Sequence, residues 1–188
     1  MKLIIGLGNP EEKYRNTRHN VGFLTLSRYS AKKSVTFQPK TKFNACIAEL
    51  TVADEKIILA KPTTYYNLSG EAARALRDFY KIQSKDILIL HDELMLPFGT
   101  IRTRIGGNDA GNNGIKSIND HIGQETSRIR IGVSNENRDR INDADFVLGA
   151  FSQSEAQELD TMQPHIDCII DDFIAGKFSA TTHKTFTL

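Results

Sequence analysis

The sequence predicts an α/β fold: one domain over residues 1–188, with three αβα layers around a mixed, mostly parallel central sheet. Short apolar runs at Lys2–Leu7 and Ile87–Leu90 are bounded by glycine, proline or polar residues, as buried strands are. Segments of helical period alternate with such runs. Strand-like runs at Phe43–Val52 and Lys56–Ala60 are separated only by Ala53, Asp54 and Glu55. A hairpin there puts an antiparallel pair beside the βα units, which makes the sheet mixed.

The elements follow in order. Lys2–Leu7 empties into Gly6, Gly8, Asn9 and Pro10, a tight turn at the carboxyl edge of the first strand. Val21–Lys33 suits a helix, with Val21, Leu24, Arg28 and Tyr29 near helical spacing. After the hairpin, Leu68–Ile82 is amphipathic, its inner face built from Leu68, Ala72, Ala75, Leu76, Phe79 and Tyr80. Ile87–Leu90 is a strand closed by His91 and Asp92. A glycine-rich loop, Gly106–Gly114, leads into a helix over Asn113–Ile122, and Arg128–Val133 alternates as a strand. The last long helix starts at Ser152, which forms a capping box with Glu155, and Pro164 should kink or split it.

Composition narrows the function. At 39% hydrophobic the chain can bury a sizeable core, and no apolar run approaches a bilayer span. Met1 leads straight into the first strand with no leader-like segment, and Cys46 and Cys168 form no C-x-x-C pair. A soluble cytoplasmic protein with reduced thiols is expected. The net charge of +1 hides an asymmetry. From Lys13 to Ala48 there are eight basic residues (Lys13, Arg15, Arg18, Arg28, Lys32, Lys33, Lys40, Lys42) and no acid, and from Glu136 to Asp172 ten acids stand against Arg138 and Arg140. A basic side suited to a phosphate backbone and an ordinary solvated face both fit this pattern.

Chemistry-bearing residues gather at strand ends. GLG at the end of the first strand begins like a dinucleotide fingerprint, but the third glycine position is Glu11 and the turn carries Pro10 and Glu12, so a pyrophosphate would meet carboxylates. Asp92 could instead accept one ring N–H of His19 and leave the other nitrogen basic. No G-x-S-x-G elbow is present, so water is the natural nucleophile and His19 its base. His91, Asp92 and Glu93 offer a metal alternative, although no H-x-x-x-H or H-x-x-E-H spacing supports it. Asn67 could equally cap the following helix, and Asn112 and Asn113 could be turn formers.

The blocks GLGNP with Tyr14, T-R-H-N at Thr17–Asn20, P-T-T-Y-Y-N-L-S-G at Pro62–Gly70, H-D-E-L at His91–Leu94, L-P-x-G at Leu96–Gly99, N-G at Asn113–Gly114, R-I-R-I-G and F-V-L-G resemble bacterial-type peptidyl-tRNA hydrolase, in the family's order and across most of the chain. The resemblance implies hydrolysis of the ester joining a peptide to the 3′ end of tRNA, without cofactor or metal, by a monomer that meets the CCA end and acceptor stem. By similarity, His19 is the base that activates water, Asp92 holds His19 in its basic, correctly oriented form, and Asn9 meets the peptide backbone beside the ester. Tyr14, Tyr65, Asn67 and Asn113 match positions that contact the tRNA end or the peptide, and Arg102, Arg104 and Arg130 match positions suited to phosphate. An asparagine-lined groove fits substrates that differ in every side chain, because amides read backbone without adding charge.

Two positions depart from the family pattern. Glu11 stands where glycine is usual after the GNP turn, and the G-G-H-N-G loop reads A-G-N-N-G, so Asn112 replaces its histidine. A non-catalytic RNA-binding relative is the alternative these departures leave, and the intact His19, Asp92 and Asn9 argue against it.

Overall fold

A computed structural model describes residues 1–184. Among these residues eight strands form one sheet: β1 (Lys2–Gly6), β2 (Gln38–Lys40), β3 (Ala45–Val52), β4 (Glu55–Pro62), β5 (Ile87–Pro97), β6 (Thr100–Ile105), β7 (Ser127–Ser134) and β8 (Thr182–Lys184), in spatial order β2-β3-β4-β1-β5-β7-β6-β8. The helices are α1 (Val21–Lys32), α2 (Ser69–Tyr80), α3 (Asn113–Ile122), α4 (Asp143–Leu148) and α5 (Gln153–Ile174).

The three expected layers are present. In β1, Ile4 packs toward α1 and α5, against Val21, Leu26, Met162 and Ile166. Leu3 and Ile5 pack the other way, against Ala72 and Leu76 of α2 and Ile115 and Ile118 of α3. A strand covered on both faces reads as an unbroken apolar run, which is why Lys2–Leu7 lacks polar alternation. Gly22 lets α1 touch the sheet: a Cβ there would stand 2.6 Å from the Leu7 nitrogen.

The sheet is mixed, but its balance differs from expectation. The central order β4-β1-β5-β7 is parallel throughout. The four outer pairs, β2 with β3, β3 with β4, β6 with β7 and β6 with β8, are antiparallel, so parallel pairs are the minority among the described residues. A tight reversal at Ala53–Asp54 makes β3 and β4 antiparallel, and one at Phe98–Gly99 turns β6 against β5 and so against β7, which runs parallel to β5.

Three further expectations need correction. Strand β5 does not close at Leu90; it runs eleven residues, and pairing with β7 carries His91 and Asp92 inside it. Pro164 does not split α5, which continues from Gln153 to Ile174. Pro164 is exposed, so the Asp160 carbonyl it leaves unbonded can face water. Third, the basic first segment is largely matched by the acidic last one: Arg28 pairs with Asp160, Lys32 with Asp167 and Lys33 with Asp171, joining α1 to α5.

The buried member of that set is Arg18. Its Nη2 donates to both carboxylate oxygens of Glu155 at 3.0 and 2.9 Å, and its Nη1 donates to the Ala150 carbonyl at 3.0 Å. The guanidinium also lies over the Phe146 ring. Glu155 simultaneously closes the expected capping box, accepting from the Ser152 backbone N–H at 2.7 Å. Removing one partner leaves the other charge buried alone, so Glu155→Ala should cost about 3–5 kcal/mol in urea denaturation. A loss below about 1 kcal/mol would contradict this role.

His91 is 2% exposed, and its Nδ1 donates to the Asp92 carbonyl at 2.7 Å while its Nε2 has no hydrogen-bond partner. Burial pushes its pKa down to about 4, against the opposing pull of Asp92 and Glu93. The unfolded chain therefore takes up a proton below about pH 6.5 that the folded chain refuses until about pH 4. Stability from this group is full above that window and lost as pH falls through it. We expect about 2 kcal/mol less stability at pH 5 than at pH 7, a difference that His91→Gln removes. An identical pH slope in both proteins would show that another group titrates.

Candidate active site

The site lies at the carboxyl ends of the adjacent parallel strands β1 and β5, where the chain leaves β1 for strands on either side of it. Open α/β sheets form their crevices at such points. The cleft is about 540 Å³ and is lined by Asn9, Tyr14, His19, Tyr65, Tyr66, Asn67, Asp92, Glu93 and Asn113, with the apolar Leu94, Met95, Val147 and Leu148 along one side. Seven of the ten residues singled out as catalytic or substrate-binding, Tyr14 among them, line this one cleft. The three arginines do not.

His19 sits in a 3-10 turn, Arg18–Asn20, immediately before α1. Its Nδ1 lies 3.0 Å from Asp92 Oδ2, the pairing expected from the sequence. The other carboxylate oxygen, Oδ1, accepts the Tyr66 hydroxyl at 2.5 Å. Asp92 is 2% exposed, and burial pushes its pKa up. The His19 charge and the hydrogen bonds from His19 and Tyr66 outweigh burial and hold the carboxyl below its ordinary range. It is a carboxylate at neutral pH, which requires His19 Nδ1 to carry its proton. Nε2 is then the basic nitrogen.

Asn9 is oriented by three contacts. Asn20 accepts from the Asn9 backbone N–H at 2.8 Å and donates to the Asn9 carbonyl at 2.9 Å. Asn9 Oδ1 accepts from the Tyr66 backbone N–H at 2.8 Å. With its oxygen committed, the side chain presents its Nδ2 donor to the cleft. Asn67 is not a cap: α2 is preceded by Leu68 without any side-chain cap, and Asn67 lies exposed on the cleft rim with Asn113.

Both departures acquire structural roles. Glu11 accepts from the Tyr65 hydroxyl and pairs with Lys13 at 2.8 Å, tying the turn after β1 to the loop before α2. Asn112 caps α3, its Oδ1 accepting from the Ile115 N–H at 3.0 Å, while its Nδ2 donates to the Tyr66 hydroxyl at 3.0 Å. The turn-former reading of Asn112 thus becomes a helix cap that also touches the site.

The basic residues separate. Arg102 and Arg104 on β6 stand opposite Arg130 and Arg128 on β7. Arg104 is exposed, and Arg102 donates to Thr182 Oγ1 at 3.1 Å. Arg130 is paired with Glu93 through Nε and Nη2 at 2.9 and 2.6 Å, which neutralises it. The metal alternative loses its geometry in the same contacts: Glu93 is held by Arg130, Asp92 by His19 and Tyr66, and His91 does not line the cleft.

Sequence reasoning missed Tyr66, Asn20 and Arg138. Asn20 lies within T-R-H-N, but nothing in the sequence marks its bond to the Asn9 backbone. Tyr66 is one of two adjacent tyrosines, and strand or helix periodicity does not say which faces inward. Arg138 lines the cleft and pairs with Asp143 at the start of α4.

Comparison with known proteins gives a consistent result. The peptidyl-tRNA hydrolase family model matches residues 3–187. The peptidyl-tRNA hydrolase of Listeria welshimeri is 44% identical over 186 residues, covering 98% of this chain and 99% of that one. That of Rickettsia prowazekii is 40% identical, covering 93% and 96%. The crystal structure of peptidyl-tRNA hydrolase from Acinetobacter baumannii superposes with a TM-score of 0.86 at 33% identity, covering 94% of this chain and 90% of that one. With matches that run the length of the chain and a site built from the same sequence blocks, this protein belongs to the peptidyl-tRNA hydrolase family.

Proposed function

We propose that this chain, acting as one domain over residues 1–188, hydrolyses the ester between the peptide, or N-blocked aminoacyl group, and the 3′ end of tRNA in peptidyl-tRNA, with His19 activating water. The observation that carries the mechanism is the 3.0 Å contact between His19 Nδ1 and Asp92 Oδ2 at the edge of a cleft. It fixes the tautomer and leaves Nε2 to take a proton from water. The water oxygen bonds to the ester carbonyl carbon, the tetrahedral intermediate collapses, and the departing ribose oxygen takes the proton back from the imidazolium. An activated acyl ester needs no metal for this sequence, because base, water and positioned amide donors suffice.

Asn9 supplies such a donor, and Tyr14, Tyr65, Asn67 and Asn113 line the remaining polar wall. The apolar side, with Met95 74% exposed, suits peptide side chains of any kind. Phosphates of the CCA end and acceptor stem fall to Arg102 and Arg104, with the neutralised Arg130 adding geometry more than charge. We read the enzyme as a cytoplasmic monomer without a cofactor. No helix among the described residues is long and apolar enough to cross a membrane.

His19→Ala should lower turnover of N-acetylaminoacyl-tRNA by about 10²–10⁴ and leave tRNA affinity within a few-fold, since it removes a base and no phosphate contact. Near-normal turnover would refute the assignment. Affinity for tRNA should fall with salt at a log–log slope of roughly −2 to −4, as expected for a few phosphate contacts, and Arg102→Ala with Arg104→Ala should flatten it. A slope near zero in the native protein would remove the phosphate role.

A further inference from the structure

Tyr66 is 2% exposed and lies where four parts of the site meet. Its ring stacks on the His19 imidazole with centroids 3.5 Å apart and planes 18° from parallel. Gly114, in the first turn of α3, gives it room, because a Cβ there would overlap the ring. Its hydroxyl donates to Asp92 Oδ1 at 2.5 Å and accepts from Asn112 Nδ2 at 3.0 Å. Its backbone N–H fixes the Asn9 amide at 2.8 Å.

We propose that Tyr66 is a positioning residue of the hydrolytic site, acting through His19 and Asp92, and that Asn112 is the residue that sets its hydroxyl. The proposal rests on His19 being the base. Four groups then form one line: Asn112 Nδ2 donates to the Tyr66 hydroxyl, which donates to Asp92 Oδ1, while Asp92 Oδ2 accepts from His19 Nδ1.

The geometry has two separable effects. The ring wall confines the imidazole to one orientation, so Nε2 stays aimed into the cleft and little freedom is lost when substrate arrives. The hydroxyl shares the charge on Asp92. A carboxylate that already accepts a short hydrogen bond on one oxygen binds the proton side of His19 less strongly through the other. Without the hydroxyl, Asp92 concentrates its charge on His19 and favours the imidazolium, the form that cannot act as base. Asn112 directs the hydroxyl: by donating to the phenol oxygen it leaves the phenol hydrogen for Asp92.

The other charged groups near His19 are already paired. Glu93 of β5 is held by Arg130 of β7, Arg138 by Asp143 of α4, and Glu11 by Lys13 and Tyr65. Arg18, the preceding residue, is bound to Glu155 of α5. Asp92 is therefore the group through which a change at the Tyr66 hydroxyl reaches the base.

Tyr66→Phe keeps the ring and removes the hydroxyl. We expect kcat for N-acetylaminoacyl-tRNA at pH 7 to fall about 5- to 20-fold with KM within about twofold, and the acid limb of the kcat–pH profile to move to higher pH by about half a unit or more. Asn112→Ala should move the same limb in the same direction by less, and the double variant should resemble Tyr66→Phe, because both act on one hydroxyl. A purely structural role for Tyr66 would lower the thermal midpoint while leaving the profile of the folded enzyme in place, and that result would overturn the proposal. So would an unchanged kcat, a loss confined to KM, or strictly multiplicative losses in the double variant. His19→Ala, measured alongside, separates the two readings: retained turnover there removes the base itself, whereas an inactive His19→Ala with a native-like Tyr66→Phe removes only the role of Tyr66.

Discussion

The site depends on a buried ion pair that takes no part in chemistry. Arg18 and Glu155, 137 residues apart in sequence, tie the 3-10 turn that carries His19 to the first turn of α5. Each solves a problem for the other's element. Glu155 would be an isolated carboxylate at a helix start if it only capped Ser152, and Arg18 would strand a guanidinium between Phe146 and Phe151 without it. Arg18 Nη2 meets both carboxylate oxygens, Nη1 meets the Ala150 carbonyl, and Asn135 and the Ser152 N–H also donate to Glu155, so both buried charges have several partners that offset their desolvation. The pair fixes residue 18, and the adjacent imidazole inherits that precision.

From this anchor, order passes outward through amides and not through charges. Asn20, two residues past Arg18, clasps the backbone of Asn9, and Asn9 in turn takes the Tyr66 N–H. Three segments that are remote in sequence, the turns after β1 and β4 and the entry to α1, are thereby held by neutral groups. Neutrality matters here because a substrate ester has no formal charge at the reacting carbon, and a fixed charge nearby would bias which peptides approach. Of the charged members, Glu93 is neutralised by Arg130 and Arg138 by Asp143, while Asp92 keeps its charge and is held by hydrogen bonds from His19 and Tyr66.

Much of this was legible in the sequence, and the failures share a physical cause. Runs with one clear period gave helices α1, α2 and α3 and the hairpin close to their observed bounds, and the pairing of His19 with Asp92 was legible from their residue types, although His19 lies in a turn before α1 and Asp92 inside β5. Strand β5 was cut short because the polar residues His91, Asp92 and Glu93 interrupt an apolar run, yet all three are buried and bonded. The segregation of basic and acidic segments was legible, but its meaning was not: opposite segments attract one another as readily as they attract a partner, and only the packing of α1 on α5 shows that Arg28, Lys32 and Lys33 are spent internally. Tyr66 escaped because its importance comes from a ring stack and a hydrogen bond with residues far away in sequence.

The distance along the chain between Arg18 and Glu155 also sets an order of events during synthesis. The strands β1 to β7 precede Ser152, so most of the sheet can be made while the turn bearing His19 still lacks its anchor. Contacts of such sequence separation form late, since their chain closure must be completed first. The nascent protein is itself a peptide esterified to tRNA. A hydrolytic site that is completed only after the start of α5 has left the ribosome is one that stays unassembled for most of the time its own chain is such a substrate.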